Sequence, residues 1–481
     1  MRRTRARNFL ILMGTNLATK GAWFISLILL MNYFDSSLFG VLATLWALGA
    51  VTAGFADLGV AQVLLRDGAR EPGLARSMAS KTLVLQIALS LILFGVITLG
   101  ALAWMPTPGM SDTSRWVVIA LSVATMLIDR LSALFTVFSQ LSGDYRRLSF
   151  YRSSYFLCLL GAFALAIDSQ ASLEFIAQIY FVLTIVFTAL MGVVTWKELP
   201  PLTHRTNESM TSLIRKGVWF LGNTGLSIAY GRVEVVLLGM FGFMALAGAY
   251  HVAYQIILLF FSLSGIFFTV IYARLYAHRG HAGALREDFT DTLRWLSIFA
   301  WTTAPLLVIY ASEIVQLLGS DALQEHTDVL RVLALMIFLL PAAAALDFLP
   351  TLELARQRVY AEASGLGVTM ASTLALLMLP IPQAVSWAAL VGYAVTVILA
   401  YIFASGKRVL VPADLMRESW QIAWRALISL IFTLGLPLSW WQVGFLYPLL
   451  FLAVLLLTKH PSATKIVDTC RSEYKNQGHT K

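Results

Sequence analysis

The sequence is poor in charge and almost free of cysteine. Charged residues make up 13% of the 481 residues, whereas hydrophobic residues make up 58%. This composition excludes an ordinary soluble domain and is typical of a polytopic membrane protein. The two cysteines, Cys158 and Cys470, are too few for a disulfide framework or a metal site of usual spacing.

Features of several enzyme classes are also missing. No GxxxxGK[ST] stretch occurs, so ATP binding of the Walker type is not expected. A membrane glycosyltransferase or polysaccharide polymerase generally has a sizeable outer loop, but the longest outer segment predicted here is residues 312–327. No His/Asp cluster compensates. We therefore expect no enzyme activity, no cofactor and no metal.

Apolar runs of roughly 20 residues, the length that crosses a bilayer, recur along the whole chain. The basic start, "MRRTRARN", precedes a run longer than the roughly 7 to 15 residues of a signal-peptide core, so we interpret it as a retained first helix. The last two runs have an alternative reading as one re-entrant hairpin. The fourteen predicted spans are 9–33, 37–65, 82–104, 115–139, 149–168, 173–196, 216–241, 246–272, 290–311, 329–351, 357–379, 383–404, 418–438 and 440–457.

The basic residues fall in alternate loops, which indicates orientation. With a cytoplasmic N-terminus, both termini lie inside, and the net charge of +9 mostly reflects this sidedness. Because the cations are spread over many loops, a nucleic-acid partner is not expected. The basic tail, 458–481, is expected to lie on anionic lipid at the cytoplasmic face. The inner-loop cations are Arg66, Arg70, Arg76, Lys81, Arg146, Arg147, Lys197, Arg205, Arg215, Lys216, Arg274, Arg279, Arg286, Arg356, Arg358, Lys407, Arg408 and Arg417.

A weak internal repeat suggests two halves. A shift of 208 residues places "MGTN" (13–16) on "LGNT" (221–224) and "LFG" (38–40) on "LAG" (246–248). We predict a six-helix lobe at 1–200, a second at 211–405, two further helices at 418–457, and the tail. In such a plan the substrate path runs between the halves. Chance similarity between apolar segments is the alternative.

Two segments carry a family resemblance. "LFGVLATLWALGAVTAGFADLGVAQVLLRDGAR" and "RVEVVLLGMFGFMALAGAYHVAY" resemble polysaccharide-unit flippases of the Wzx type, within the multidrug/oligosaccharidyl-lipid/polysaccharide exporter superfamily. The resemblance is carried in the first by Gly40, residues 56–59 and Arg66, and in the second by residues 238–239 and 248–250.

The resemblance implies a fold, a function and a location. The fold is an all-α bundle like those of multidrug exporters and lipid II flippases. The implied function is the transfer of an undecaprenyl-diphosphate-linked oligosaccharide across the bacterial inner membrane by alternating access. Membrane lipids are expected partners, and a polymerase or chain-length regulator is a candidate one. A lipid II flippase and a multidrug or ion antiporter stay open as alternatives.

Charges inside the apolar runs mark candidate site residues, because a charge at the centre of a membrane helix costs roughly 2.5 to 3.5 kcal/mol on insertion scales. Under the 208-residue shift, Lys20 corresponds to Ile228 and Arg232 to Phe24, so the two cations lie one turn apart on equivalent helices. Together with Asn16, they suit a diphosphate. Neutralisation of each cation by a structural partner is the alternative.

Four acids and one further cation complete the predicted set. Arg130 is expected as a third cation of the cleft, although a buried ion pair is equally compatible with its position. Asp129 and Glu234 are the candidates for ion coupling, since a buried carboxylate can carry a proton. Asp57 is predicted to be structural, capping a helix or pairing with the basic inner rim. Asp347 either lines the path or marks a helix end before Pro350, and we group it with the structural acids.

Overall fold

The protein is nearly all helical. The computed structural model describes residues 2–142, 145–199, 209–277, 281–319, 321–379, 381–406 and 412–458, and no strand occurs among them. Eleven helices in these ranges are long and apolar enough to cross a membrane. The predicted class, an all-α polytopic membrane protein, is confirmed. The linker at 200–208 and the basic tail after Thr458 lie outside the described residues.

The helices follow one another with short connections. The first ten are α1 (Arg2–Tyr33), α2 (Ser36–Ala56), α3 (Val60–Arg70), α4 (Pro72–Trp104), α5 (Asp112–Ser142), α6 (Tyr145–Asp168), α7 (Leu173–Glu198), α8 (Met210–Ala229), α9 (Val233–Met240) and α10 (Met244–Ala277). The others are α11 (Ala282–Ile309), α12 (Ala311–Leu318), α13 (Asp321–Glu325), α14 (Thr327–Ala334), α15 (Leu340–Phe348), α16 (Ala355–Met378), α17 (Val385–Ser405), α18 (Pro412–Leu434) and α19 (Trp440–Leu457). Short 3₁₀ helices occupy Leu335–Leu339 and Pro382–Ala384.

Two predicted spans are broken. The run 37–65 divides into α2 and α3 at residues 57–59, where Leu58 has φ 47° and Gly59 has φ 70°. The run 216–241 divides into α8 and α9 at residues 230–232, where Gly231 has φ 69°. A left-handed residue interrupts the helix, and glycine adopts that conformation without steric cost. The hydropathy of a residue carries no information about its φ angle, so the apolar runs predicted helices that continue across both breaks.

Space as well as φ requires glycine at both breaks. A Cβ atom on Gly59 would lie 2.1 Å from the carbonyl oxygen of Gly217, on α8. A Cβ atom on Gly231 would lie 1.9 Å from a ring carbon of Tyr254, on α10. The breaks are therefore packed against neighbouring helices, and their geometry is held by these contacts.

One further span differs in detail from the prediction, and the last two runs are separate helices as predicted. The run 329–351 becomes α14, a 3₁₀ turn and α15, with Pro341 at the start of α15, where its missing N–H costs nothing. The runs 418–438 and 440–457 form the separate helices α18 and α19. A capping box between Ser439 and Gln442 begins α19.

The chain divides into two compact units. The first comprises Met1–Ile256, Leu318–Val329 and Glu362–Ala389, and the second comprises the remaining segments. In the first unit, α5 packs against α2, α4 and α7, while α1 packs against α6. In the second unit, α11 packs against α15, α18 and α19, with Phe289, Phe348 and Tyr401 in the core. The two six-helix lobes at 1–200 and 211–405 stay a prediction.

Candidate functional site

A cavity of about 400 Å³ lies within the first unit. It is bounded by α2, α3, α5, α6, α7 and the junction of α8 with α9, and its volume is within the usual range of ligand pockets. Four charged side chains line it: Asp129, Arg130, Arg152 and Arg232. Three guanidinium groups and one carboxylate between membrane-spanning helices are expected to face water or an anion, because a charged group is costly to place in hydrocarbon.

The break between α8 and α9 positions Arg232. Arg232 is the N-cap residue of α9, and its Nη1 donates a hydrogen bond of 2.9 Å to the carbonyl oxygen of Ile228. One end of the guanidinium is thereby fixed to the end of α8, while the side chain still lines the cavity. The other nitrogen atoms are left to contact a ligand.

Lys20 is close to this arginine. It is half-buried on α1, and the charges of Arg152 and Arg232 both repel it. No ion pair of Lys20 occurs among the described residues. The structure therefore brings together Lys20 and Arg232, the two cations that the internal repeat placed on equivalent helices. The side chain of Asn16, the predicted third member, lies outside the described residues.

An aromatic cluster holds the Lys20 segment in place. The ring of Trp23, three residues after Lys20, lies with its centroid 5.4 Å from that of Trp46 on α2 and 5.8 Å from that of Tyr180 on α7. Aromatic pairs at these separations stabilise packing beyond their buried area. The position of Lys20 is thus set by contacts between three helices.

Arg152 is a site residue that the sequence analysis missed. It lies on α6, is exposed and lines the cavity. It was the only basic residue inside the predicted span 149–168, which was the available signal.

Arg130 both lines the cavity and forms a buried ion pair. Its Nη2 lies 3.0 Å from Oδ2 of Asp57, whose side chain is only 2% exposed. The Oδ1 atom of Asp57 accepts hydrogen bonds from the Ala61 amide, at 3.3 Å, and from the Gln86 side chain. Asp57 thus joins α3, α4 and α5 at the break after α2, and it neutralises the charge of Arg130.

The basic rim is paired with a different acid. Asp67, on α3, accepts hydrogen bonds from Arg66 Nε at 2.6 Å and Nη2 at 3.0 Å. Lys216 Nζ lies 3.7 Å from the same carboxylate. The hydrogen bonds from Arg66 are the main reason that the pKa of Asp67 is held below its ordinary value. Asp57 was the acid predicted to pair with this rim, but its cation is Arg130.

Asp129 faces the cavity without an ion pair to its neighbour Arg130. Its Oδ1 accepts a 3.4 Å hydrogen bond from Ser132, one turn along α5. Arg152 is the cation that acts on it most strongly. Arg130 and Arg152 act on the carboxylates of Asp57 and Asp129, whereas no carboxylate pairs with Lys20 or Arg232 among the described residues, so the site carries a net positive charge.

Glu234 lies behind the cavity wall. It is fully buried on α9, and neither carboxylate oxygen has a hydrogen-bond partner among the described residues. The Tyr250 hydroxyl and the Gly231 amide are among its polar neighbours, but they do not meet hydrogen-bond geometry. The His251 ring on α10, also buried, has an unpartnered Nε2. This is a buried polar cluster separate from the cavity lining.

Asp347 belongs to the second unit. Its Oδ1 lies 3.2 Å from Nη1 of Arg358, so it forms an ion pair between α15 and α16. It does not line the cavity described above. No group of His, Cys, Asp or Glu side chains that could hold a metal ion occurs in the part of the chain that the structure describes.

Comparison with known proteins adds a family and a fold. The model of one family, described as polysaccharide biosynthesis protein, matches residues 34–328. No curated protein matches the sequence significantly. Among solved structures, the chain is similar to the lipid II flippase MurJ in an inward closed conformation, with a TM-score of 0.68 and 12% identity, covering 93% of this chain and 98% of that one.

Two multidrug transporters share the same architecture. An inward-facing MATE family transporter of the MOP superfamily matches with a TM-score of 0.64 and 15% identity, covering 83% of this chain and 96% of that one. The MATE multidrug transporter DinF-BH matches with a TM-score of 0.63 and 14% identity, covering 83% of this chain and 96% of that one. At these identities the likeness shows the fold.

Proposed function

Because the chain belongs to the polysaccharide biosynthesis protein family, we propose that it is a flippase for an oligosaccharide linked to undecaprenyl diphosphate. The observation that carries the proposal is the cationic cavity lined by Arg130, Arg152 and Arg232, with Lys20 close enough for its charge to interact with those of Arg152 and Arg232. A fold shared with transporters disfavours the glycosyltransferase and polymerase alternatives. The protein is a transporter, not an enzyme.

A diphosphate is the anion that this arrangement suits best. Arginine binds phosphate oxygens through two parallel N–H donors, and lysine adds a compact positive charge. Arg232 is already held by the Ile228 carbonyl, so little side-chain entropy is lost when it binds. Arg130 contributes less, because Asp57 neutralises it.

The cargo crosses from the cytoplasmic to the periplasmic face of the bacterial inner membrane in this proposal. The distribution of Lys and Arg supports cytoplasmic termini. The lobes at 1–200 and 211–405 would alternate access to the substrate, and the helices at 418–457 would flank them. The cargo would be a repeat unit of O-antigen, capsule or exopolysaccharide, handed to a polymerase with its chain-length regulator.

The lipids of a deletion strain test the proposed function. We expect a host that lacks this gene to accumulate one undecaprenyl-diphosphate species with an oligosaccharide of defined mass, measured by mass spectrometry of lipid extracts against the parent strain. The plasmid-borne gene should remove the accumulated species. Unchanged lipids together with normal surface polymer would refute the proposal.

The same mass spectrum of lipid extracts tests a second candidate function, that of a lipid II flippase. The MurJ likeness covers nearly the whole chain, and lipid II also carries a diphosphate, so a lipid II flippase would use the same cations. In that case the accumulated mass would be that of lipid II. A multidrug antiporter for cations is disfavoured, because the cavity cations would repel its substrates.

Ion coupling would supply the energy, with Glu234 and Asp129 as the candidate groups. Glu234 is a buried carboxylate without a hydrogen-bond partner among the described residues, and Asp129 is exposed to the cavity. We expect Glu234→Gln to make transport independent of the proton gradient. Asp129→Asn tests the second candidate by the same loss of gradient dependence. The measurement is flux in proteoliposomes with and without an imposed gradient. If both variants keep the full gradient dependence of the parent protein, neither residue is the coupling group.

A further inference from the structure

One end of the cavity has a different chemistry from the cationic end. Along α5, Thr136 and Gln140 follow Asp129, and Gln62 on α3 also lines the cavity. Gln140 lies 11 residues beyond Asp129, which is about 16 Å along a helix. We call Gln62, Thr136, Gln140 and the neighbouring Tyr151 the amide end, and it contains no charged side chain.

The two glutamines line the cavity with side chains that have no hydrogen-bond partner among the described residues. Neither Gln62 nor Gln140 makes a side-chain hydrogen bond to a described residue, and both are half-buried against the cavity. Gln86 is the contrasting case, since it is buried on α4 and donates to Asp57. The bond to Asp57 offsets part of the desolvation of the Gln86 amide, whereas the amides of Gln62 and Gln140 face the cavity.

The unpaired amides match the hydrogen-bonding needs of a sugar. Each amide offers two donors and an accepting oxygen, which is the combination that hydroxyl and acetamido groups require. The Thr136 hydroxyl donates to the Ser132 carbonyl, so its oxygen still accepts. The ring of Tyr151 supplies an apolar surface beside them.

Because the amide end and the cations line the same cavity, we propose that the amide end is the saccharide subsite. Gln62 and Gln140 form hydrogen bonds with the sugars nearest to the diphosphate. The inference rests on the proposed function, which places the diphosphate at Lys20, Arg152 and Arg232. The roughly 16 Å of α5 between Asp129 and Gln140 leaves room for two or three sugars. The cations thus bind the diphosphate, which all such lipids share, and the amides select the oligosaccharide, which differs from one lipid to another.

Binding of two lipids to the purified full-length protein tests the subsite. The probes are undecaprenyl diphosphate without sugar and the diphosphate-linked oligosaccharide isolated from the deletion strain, each titrated into protein in lipid nanodiscs. We expect the parent protein to bind the sugar-bearing lipid more tightly. Gln62→Leu and Gln140→Leu should each weaken that binding by about tenfold, the loss expected for one hydrogen bond.

The bare lipid serves as the internal control for folding. Its affinity should stay unchanged in both variants, because the cations are untouched. Gln178→Leu, an exposed glutamine on α7 that does not line the cavity, is the matched control and should change neither affinity.

The outcomes separate the subsite from the proposed function. Equal binding of the two lipids by the parent protein, or equal weakening of both by the variants, would overturn the subsite. Failure of the parent protein to bind either lipid would instead overturn the proposed function. Both results are read from the same titrations.

Discussion

Replacing Arg232 with glutamine is expected to lower export of the surface polymer by about tenfold to a hundredfold. A hydrogen bond to a charged group contributes roughly 1.5–3 kcal/mol, and each 1.4 kcal/mol corresponds to a factor of ten. Glutamine keeps a donor but loses the charge and the bidentate geometry. The rate of polymer appearance in a deletion strain that carries each variant gives the effect, with protein amounts in the membrane measured in parallel.

Arg152→Gln and Lys20→Gln should lower export in the same direction, because both cations face the same anion as Arg232. Arg215→Gln is the matched control, since Arg215 is an exposed cation on α8 that does not line the cavity. Export should be close to normal in that variant. A Lys20→Ala and Arg232→Ala double variant that restores the polymer fully at normal protein level would show that these cations do not form the substrate site.

Replacing Asp57 with alanine is expected to lower the free energy of unfolding by about 3–5 kcal/mol. The substitution leaves the Arg130 guanidinium without its counter-ion and removes the acceptor of Gln86 and Ala61. Thermal unfolding of the purified protein in detergent measures the loss. Because the three contacts join different helices, the transition should also become less cooperative.

Two variants identify the ion pair as the source of this loss. The Asp57→Asn and Arg130→Gln double variant removes both charges and should cost less than Asp57→Ala alone. Asp35→Ala is the control, because Asp35 is exposed at the start of α2 and accepts a hydrogen bond from Ser37. It should cost about 1 kcal/mol or less. If Asp57→Ala were no more destabilising than Asp35→Ala, the buried pair would not stabilise the bundle.

The sequence by itself determined the class and much of the cationic site. Membrane helices are dictated by long apolar runs, because every backbone polar group must be satisfied inside the segment, and length alone then locates most spans. Lys20 and Arg232 were visible for the same reason, since a charge within such a run is costly and therefore informative. Their proximity was a prediction from the weak internal repeat, in which α1 corresponds to α8.

Only the tertiary structure decided which charges are neutralised and which residues complete the cavity. Arg130 and Asp57 are 73 positions apart, so nothing local in the sequence joins them. The breaks at Gly59 and Gly231 depend on φ and on contacts with α8 and α10, which hydropathy does not encode. Arg152, Gln62 and Gln140 line one cavity because of the way the helices pack, and this packing cannot be read from the sequence. The donors, acceptors and charge of a polar residue are known from its type, but its partner depends on which helices pack against each other.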